Sequence, residues 1–338
     1  MTVPEPPFEH LLRLSDETGV LEHARGAVPR RRCGYCTDDV ARALVVTSRQ
    51  PSPSAEVTRL GERCLAFLVH AQAGDGASHN RLGYDRRWGD EPGLGDWWGR
   101  SLWGSGTAAA RGRSARLRAD ALVHFEAGAV SRSPSPRAMA FAALGAAEVL
   151  TVRSDHAGAR DLLKEAGSVL SVSRSDGTWP WPEPRLTYAN ASWAEALLAA
   201  GWGLDDDKLV DEGLRLLDWL LDLQMSGDHL SLTPAGGWAP GEPRPGFDQQ
   251  PIEAAALADA CARAYLMTGG ERFVAGVNGA VAWFSGTNDT HIPLYDRQTG
   301  GGYDGLEREG RNDNQGAEST IALISTMQQG IRLIGGQL

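Results

Sequence analysis

Apolar residues recur at helical spacing through most of this chain. Val57, Leu60, Cys64, Phe67 and Leu68 make one stripe between Ala55 and Ala71. Val210, Leu214, Leu217 and Leu221 make another behind Asp205, Asp206 and Asp207, whose charge suits the positive end of a helix. Ser135 followed by Pro136 reads as a cap with proline in the first turn, opening a helix from Ala138 to Leu150. Stretches 162–172, 191–200, 252–266 and 317–327 read as further helices, and 7–14 as a short first one. Val, Ile and Thr seldom alternate with polar residues, so strands are not expected.

Six times a loop rich in Gly, Trp, Asp or Pro runs into an apolar helix, near Thr37, Asp96, Ser135, Asn190, Gln250 and Asn314. After most of these starts a second helix follows within a few residues. Several helices at these starts are small-residue-rich and apolar all round. Residues 138–147 read Ala-Met-Ala-Phe-Ala-Ala-Leu-Gly-Ala-Ala, the pattern of a helix buried on every side. The alternate helices, such as 209–224, keep a charged face. An open helical repeat would show more uniform units of about 34 to 47 residues, whereas these starts lie 39 to 64 residues apart. The prediction is all-α, an (α/α)6 toroid of about twelve helices. It would form one domain over residues 1–338, closed by the first helix packing beside the last. All six polar helix starts would then ring one mouth.

Composition narrows the function. The formal net charge is −10 with no basic stripe, which excludes a nucleic-acid partner. The longest apolar runs are too short and too polar-flanked to span a bilayer. The first ten residues lack the regions of a signal peptide, so a cytoplasmic protein without membrane contact is expected. Cys33 and Cys36 form one C-x-x-C, but no second pair of soft ligands stands at zinc spacing. Cys64 and Cys261 read as small core residues. No metal or cofactor is expected.

The strongest local signal is the segment Gly34-Tyr35-Cys36-Thr37-Asp38-Asp39-Val40-Ala41-Arg42-Ala43-Leu44. Thr37 reads as the cap, with Asp38 and Asp39 in the first turn and Arg42 in ion-pair reach of Asp38. His23 lies shortly upstream. Such a segment also describes a well-capped helix with one salt bridge; its neighbours raise the functional reading. Tyr84, Asp85 and Trp88 lead into Asp96-Trp97-Trp98-Gly99-Arg100-Ser101-Leu102-Trp103. Aromatic rings stack on flat sugar faces, while carboxylates and guanidinium groups bind hydroxyls. Trp103 reads instead as a plug between helices. The fourth start repeats the flavour with Asp176-Gly177-Thr178-Trp179, Trp181, Glu183, Tyr188, Asn190 and Glu195. The third, Ser135-Pro136, is bare and is expected to contribute little.

The last two starts supply acids. Asp248 and Gln249 precede Glu253 at the third helical position, where a lone Glu commonly stabilises a helix start. Tyr303, Asp304, Asn314 and Gln315 precede Glu318, one turn into an otherwise apolar helix, where burial would need a partner or a ligand.

Asp16-x-Thr18-Gly19, the segment 34–44, Trp88 with Asp96-x-x-Gly99-Arg100-x-Leu102-Trp103, and Asn314-Gln315-Gly316-Ala317-Glu318-Ser319 together resemble an uncharacterised bacterial family. That family is often described as glycosyltransferase-associated and is placed among the six-hairpin glycosidase-like proteins. The resemblance covers nearly the whole chain. It implies a toroid, a carbohydrate substrate such as a mannose-containing oligosaccharide, and a functional link to a glycosyltransferase. It does not fix a reaction, because this fold hosts several. One departure is Val40, where the family typically has Asn.

The leading expectation is a glycoside hydrolase of inverting mechanism, with Glu253 or Glu318 as acid and Asp38 or Asp39 as base. The two carboxyl groups would stand about 6.5–9.5 Å apart. His23, Tyr35, Arg42, Tyr84, Asp85, Trp88, Asp96, Arg100, Trp181, Glu183, Tyr188, Asn190, Asp248, Gln249, Tyr303, Asp304, Asn314 and Gln315 are the expected substrate contacts. A non-catalytic sugar-binding partner of a glycosyltransferase and a toroidal cyclase of isoprenoids are the rivals. An epimerase would want paired histidines, and the eight here are scattered.

Overall fold

The computed structural model describes residues 3–171 and 179–334. Among them are twelve α-helices and only two- or three-residue strands, paired as short ladders within the loops. Six helices form an inner ring: α2 (Thr37–Arg49), α4 (Asp96–Arg111), α6 (Pro136–Val152), α8 (Ala191–Leu204), α10 (Pro251–Thr268) and α12 (Ala317–Ile334). Each packs on the next, and α12 packs back on α2, so the ring is closed. The outer layer is α1 (Glu9–Arg13), α3 (Ala55–Ala71), α5 (Ala115–Gly128), α7 (Ala157–Leu170), α9 (Asp207–Gln224) and α11 (Glu271–Phe284). The short α1 lies against α12, as the closure argument requires. The fold is an (α/α)6 toroid.

The inner helices are small-residue-rich because their backbones touch. A Cβ on Gly145 of α6 would overlap the Leu102 carbonyl of α4, and one on Gly106 of α4 would overlap the Gly145 carbonyl. Glycine is used here for close approach. Every residue of α6 from Arg137 to Leu150 is buried, which is why that helix shows no polar face. The outer helices bury one stripe each. In α9 it is Gly213, Leu216, Leu217, Leu220 and Leu221.

Local details differ from expectation in instructive ways. Ser135 caps α6 as read, accepting from the Ala138 N–H. Thr37 does not cap α2: its hydroxyl donates to the His79 carbonyl at 2.7 Å, tying the helix start to the next loop. The cap of α9 is Asp206, while Asp205 ends α8 in a left-handed turn. Helices α5 and α11 escape the periodicity reading. In α5 the apolar Val123 is exposed beside the buried Leu117, Ala121 and Phe125, which blurs the stripe. The expected end of α7 at residue 172 and the stretch Asp176-Gly177-Thr178 lie outside the described residues.

Candidate active site

The inner helices begin at one end of the ring, and their first turns meet there. Asp38 and Asp39 sit in the first turn of α2, where the helix dipole favours carboxylates by ~0.3–1 kcal/mol each. Arg42, one turn on, holds both. Its Nη2 lies 2.8 Å from Asp38 Oδ1 and 2.6 Å from Asp39 Oδ1. The same nitrogen reaches across the ring to Glu318 Oε2 of α12 at 3.1 Å. From the other side, Arg100 of α4 brings its Nε to 3.0 Å from Asp38 Oδ2 and lays its guanidinium over Phe141. Three carboxyl groups thus share two guanidiniums.

Exposure divides the three. Asp39 is 4% exposed at its side chain, Asp38 19% and Glu318 39%. Burial lifts the Asp39 carboxyl to about 8; Arg42 opposes this, while the charges of Asp38 and Glu318 add to it. Those two carboxylates and Asp39 raise Arg42 in turn, against the cost of burying it. Arg42 keeps Nε and Nη1 without a hydrogen-bond partner. Donors left over in a buried site call for an acceptor from outside. Asp39 and Glu318 both touch one nitrogen atom, so their nearest oxygens are closer than the ~6.5–9.5 Å that an inverting pair needs to seat a water.

The wall from α4 to α8 continues the mouth. Asp96 opens α4, half-buried, and accepts from the Tyr188 hydroxyl and from Ser135 Oγ at 3.4 Å. Burial raises its pKa, with Arg100 pulling the other way. Arg137 at the start of α6 donates to Glu183 Oε2 at 2.5 Å, to Thr187 Oγ1 at 2.8 Å and to the Tyr188 carbonyl. Its guanidinium also covers the Tyr188 ring. The third helix start is therefore not bare: Arg137 fixes two of the expected contacts, Glu183 and Tyr188. Its signal was present. A cation at the positive end of an apolar helix is unfavourable unless partnered.

On the α8–α10 wall Glu253 is buried, its Oε2 accepting from Asn190 Nδ2 at 3.0 Å while Oε1 has no partner. Burial raises Glu253 to about 7, opposed by the Asn190 hydrogen bond. Asn190 also accepts from the Thr187 N–H, so it fixes the loop before α8. Glu195 belongs elsewhere. It lies further down α8 and pairs with Arg263 at 3.2 Å, at the ring's other end.

Several expected contacts hold the loops in shape. Tyr35 is buried and donates to Asp16 Oδ2 at 2.6 Å. Asp304 accepts from the Gly316 N–H and Ser319 Oγ, capping α12. Tyr303 donates to Asp296, and so does Gln315. Asn314 accepts from the Gly26 N–H, fastening the first loop to the last. Gln249 is fully buried, bonded to Trp283 and Leu232. Trp181 is buried and stacks on Trp219, and Trp88 packs on His79 and Phe67. Trp103 stacks on Phe141, a plug as read. Tyr84, Asp85, His23 and Asp248 are exposed. Val40 is buried against the turn at Gly19.

One group could ligate a metal: Glu22, Cys36 and Asp39 offer ligand atoms within 4.8 Å of one another. Cys33 is not among them. Arg42 holds Asp39, Arg81 holds Glu22, and burial keeps the Cys36 thiol well above its usual pKa. Two guanidiniums already occupy the places a cation would take, so these residues do not fit an ion. Among the described residues no helix is long and apolar enough to cross a membrane.

No family model matches the sequence, and no curated protein matches it. Solved structures do. A sugar epimerase from a ruminal bacterium superposes with a TM-score of 0.71 at 12% identity, over 98% of this chain and 96% of its own. A D-mannose isomerase gives 0.70 at 14% identity, over 95% and 94%. An α-mannanase from Bacteroides thetaiotaomicron gives 0.61 at 8%, over 88% and 86%. At such identities the likeness establishes the fold alone: the six-hairpin toroid shared by these epimerases and glycosidases.

Proposed function

We propose that this chain is a carbohydrate-active enzyme, a glycoside hydrolase that cleaves an oligosaccharide at the mouth of the ring by inverting acid–base chemistry. One observation carries the reading. A half-exposed Glu318 on α12 pairs with Arg42, and a half-buried Asp96 with a raised pKa opens α4, the two helices flanking α2. Among the described residues Asp96 pairs with neither Arg42 nor Glu318. It sits on another wall, which makes it a better partner than Asp38 or Asp39. Glu318 takes a proton from water as the water oxygen attacks the anomeric carbon. Asp96 gives its proton to the departing glycosidic oxygen, and solvent restores both groups. Arg42 and Arg100 hold Glu318 and Asp38 in place. Glu253, sealed behind Asn190, supports the wall.

Mannose-containing oligosaccharides are the first substrates to try. The resemblance implies them, and two of the similar structures are a mannose isomerase and a mannanase. The isoprenoid-cyclase reading loses its metal cluster, because Arg42 binds both Asp38 and Asp39. Epimerisation remains a second reading, favoured by two carboxyls that burial brings near neutrality, Glu253 at about 7 and Asp39 at about 8. The test is a manno-oligosaccharide panel compared with aryl glycosides. Asp96→Asn should lose activity on oligosaccharides yet retain it on aryl glycosides, whose leaving group needs no acid. Glu318→Gln should lose both. Equal loss from Asp96→Asn on both substrates removes it as the acid, and exchange of a sugar C–H with deuterated solvent would favour epimerisation.

A further inference from the structure

The inner helices end at a second chamber, opposite the mouth. Its volume is about 690 Å³, within the ~300–1,000 Å³ of small-molecule sites. Arg49, Glu148, Glu195, Asp259, Gln329 and Arg332 are among its walls. Asp259 also borders a narrow space in the bore, which Arg42 and Arg100 reach from the mouth side and which holds only about 30 Å³. That space has room for about two waters only.

Most of the charge there is paired. Arg49 Nη1 lies 2.8 Å from Asp259, Arg111 Nε 2.8 Å from Glu148 and Arg263 Nη2 3.2 Å from Glu195. Helix C-termini attract cations, which accounts for arginines at this end without any ligand. Two observations go beyond that. First, Glu195 Oε2, Gln328 Oε1 and Gln329 Oε1 are buried acceptors with no donor, all on residues lining the chamber. The amides cannot be turned round to cure this, because Gln329 Nε2 donates to Asp259 at 2.6 Å and Gln328 Nε2 to the Val46 carbonyl at 2.8 Å. Glu195 and Gln329 are both more than nine-tenths buried. Second, Arg332 has no carboxylate at ion-pair distance among the described residues; burial and then the charges of Arg111, Arg49 and Arg263 lower its pKa, with Glu148 opposing them.

We infer that the far chamber is a second ligand site for an anionic sugar. Its hydroxyls donate to Glu195, Gln328 and Gln329, and its phosphate or carboxylate group meets Arg332. Trp202, 67% exposed, lines the same chamber and offers a flat apolar surface for a sugar face. This site is independent of the hydrolase reading, since it shares no residue with the mouth.

Titration calorimetry of the whole chain with mannose 6-phosphate, glucuronate, mannose and inorganic phosphate tests it. At least one of the two acidic sugars should bind, and which of them does so tells phosphate from carboxylate. Mannose and inorganic phosphate alone should each bind at least about tenfold more weakly. Arg332→Gln and, separately, Trp202→Ala should weaken the acidic sugar about tenfold, whereas Glu318→Gln should leave its affinity unchanged. No heat from either acidic sugar at millimolar concentration overturns the proposal, leaving a solvent-filled funnel. So does inorganic phosphate binding as tightly as the sugar phosphate, or affinity that follows Glu318→Gln and ignores both far-end variants.

Discussion

The two ends of the ring are built from the same six helices yet use their charged groups differently. At the mouth, three carboxylates crowd two guanidiniums. At the far end, Arg49, Arg111, Arg263 and Arg332 share one chamber with Asp259, Glu148, Glu195 and Glu5. Helix dipoles favour this arrangement, since carboxylates sit at the positive ends and arginines at the negative ones. The ends differ in what they leave open. The mouth leaves a half-exposed carboxylate beside buried guanidinium N–H groups that have no partner. The far end ties its carboxylates into ion pairs and leaves acceptor oxygens on Glu195, Gln328 and Gln329 without a donor.

This contrast predicts a separation of activity from stability. Glu318→Gln should lower turnover by about 10²–10⁴-fold, the usual reach of an acid–base group, with little change in Tm. Comparable turnover would break the contrast at once. Asp259→Ala should do the reverse, costing about 3–5 kcal/mol because the buried Arg49 loses its partner. Chemical denaturation reads that loss, and turnover by the folded fraction should persist. Gly145→Val tests the frame that both ends share. Overpacking against α4 should cost ~1–3 kcal/mol, and an unchanged denaturation midpoint would contradict the close approach of these helices.

A further effect is one of pH. Burial holds Asp39 at about 8, against about 3.9 for a free aspartate. A carboxyl whose pKa is raised in the folded state binds a proton on folding. It therefore favours the fold at low pH, and that contribution is lost as pH climbs from about 4 through about 8. Asp39→Asn should flatten this part of the stability curve relative to the wild type. Parallel curves would mean that Asp39 is ionised in the folded ring.

Much of the ring could be read from the chain, because helices buried on every side show it in their composition. Ala138–Ala147 signals burial directly, and the polar helix starts mark the mouth. The convergence of Asp38, Asp39, Arg42, Arg100 and Glu318 follows from closing that ring. What could not be read was which side chains work on substrate and which hold the loops. Gln249, Asn314, Gln315 and Asp304 have the chemistry of sugar contacts, yet their hydrogen bonds are spent within the protein. Sequence shows a polar group but not whether its partner is already present. Arg137 was missed for the converse reason, its partners Glu183 and Tyr188 lying some fifty residues away. The far chamber was hidden because its polar residues, Glu148, Asp259 and Gln329, look like stray positions in apolar helices.

The most direct test is a proton NMR time course of a manno-oligosaccharide mixture with the wild type and Glu318→Gln side by side. The account predicts new reducing ends of inverted anomeric configuration from the wild type and none from the variant. Cleavage by both proteins, or products that keep the substrate's configuration, would contradict it.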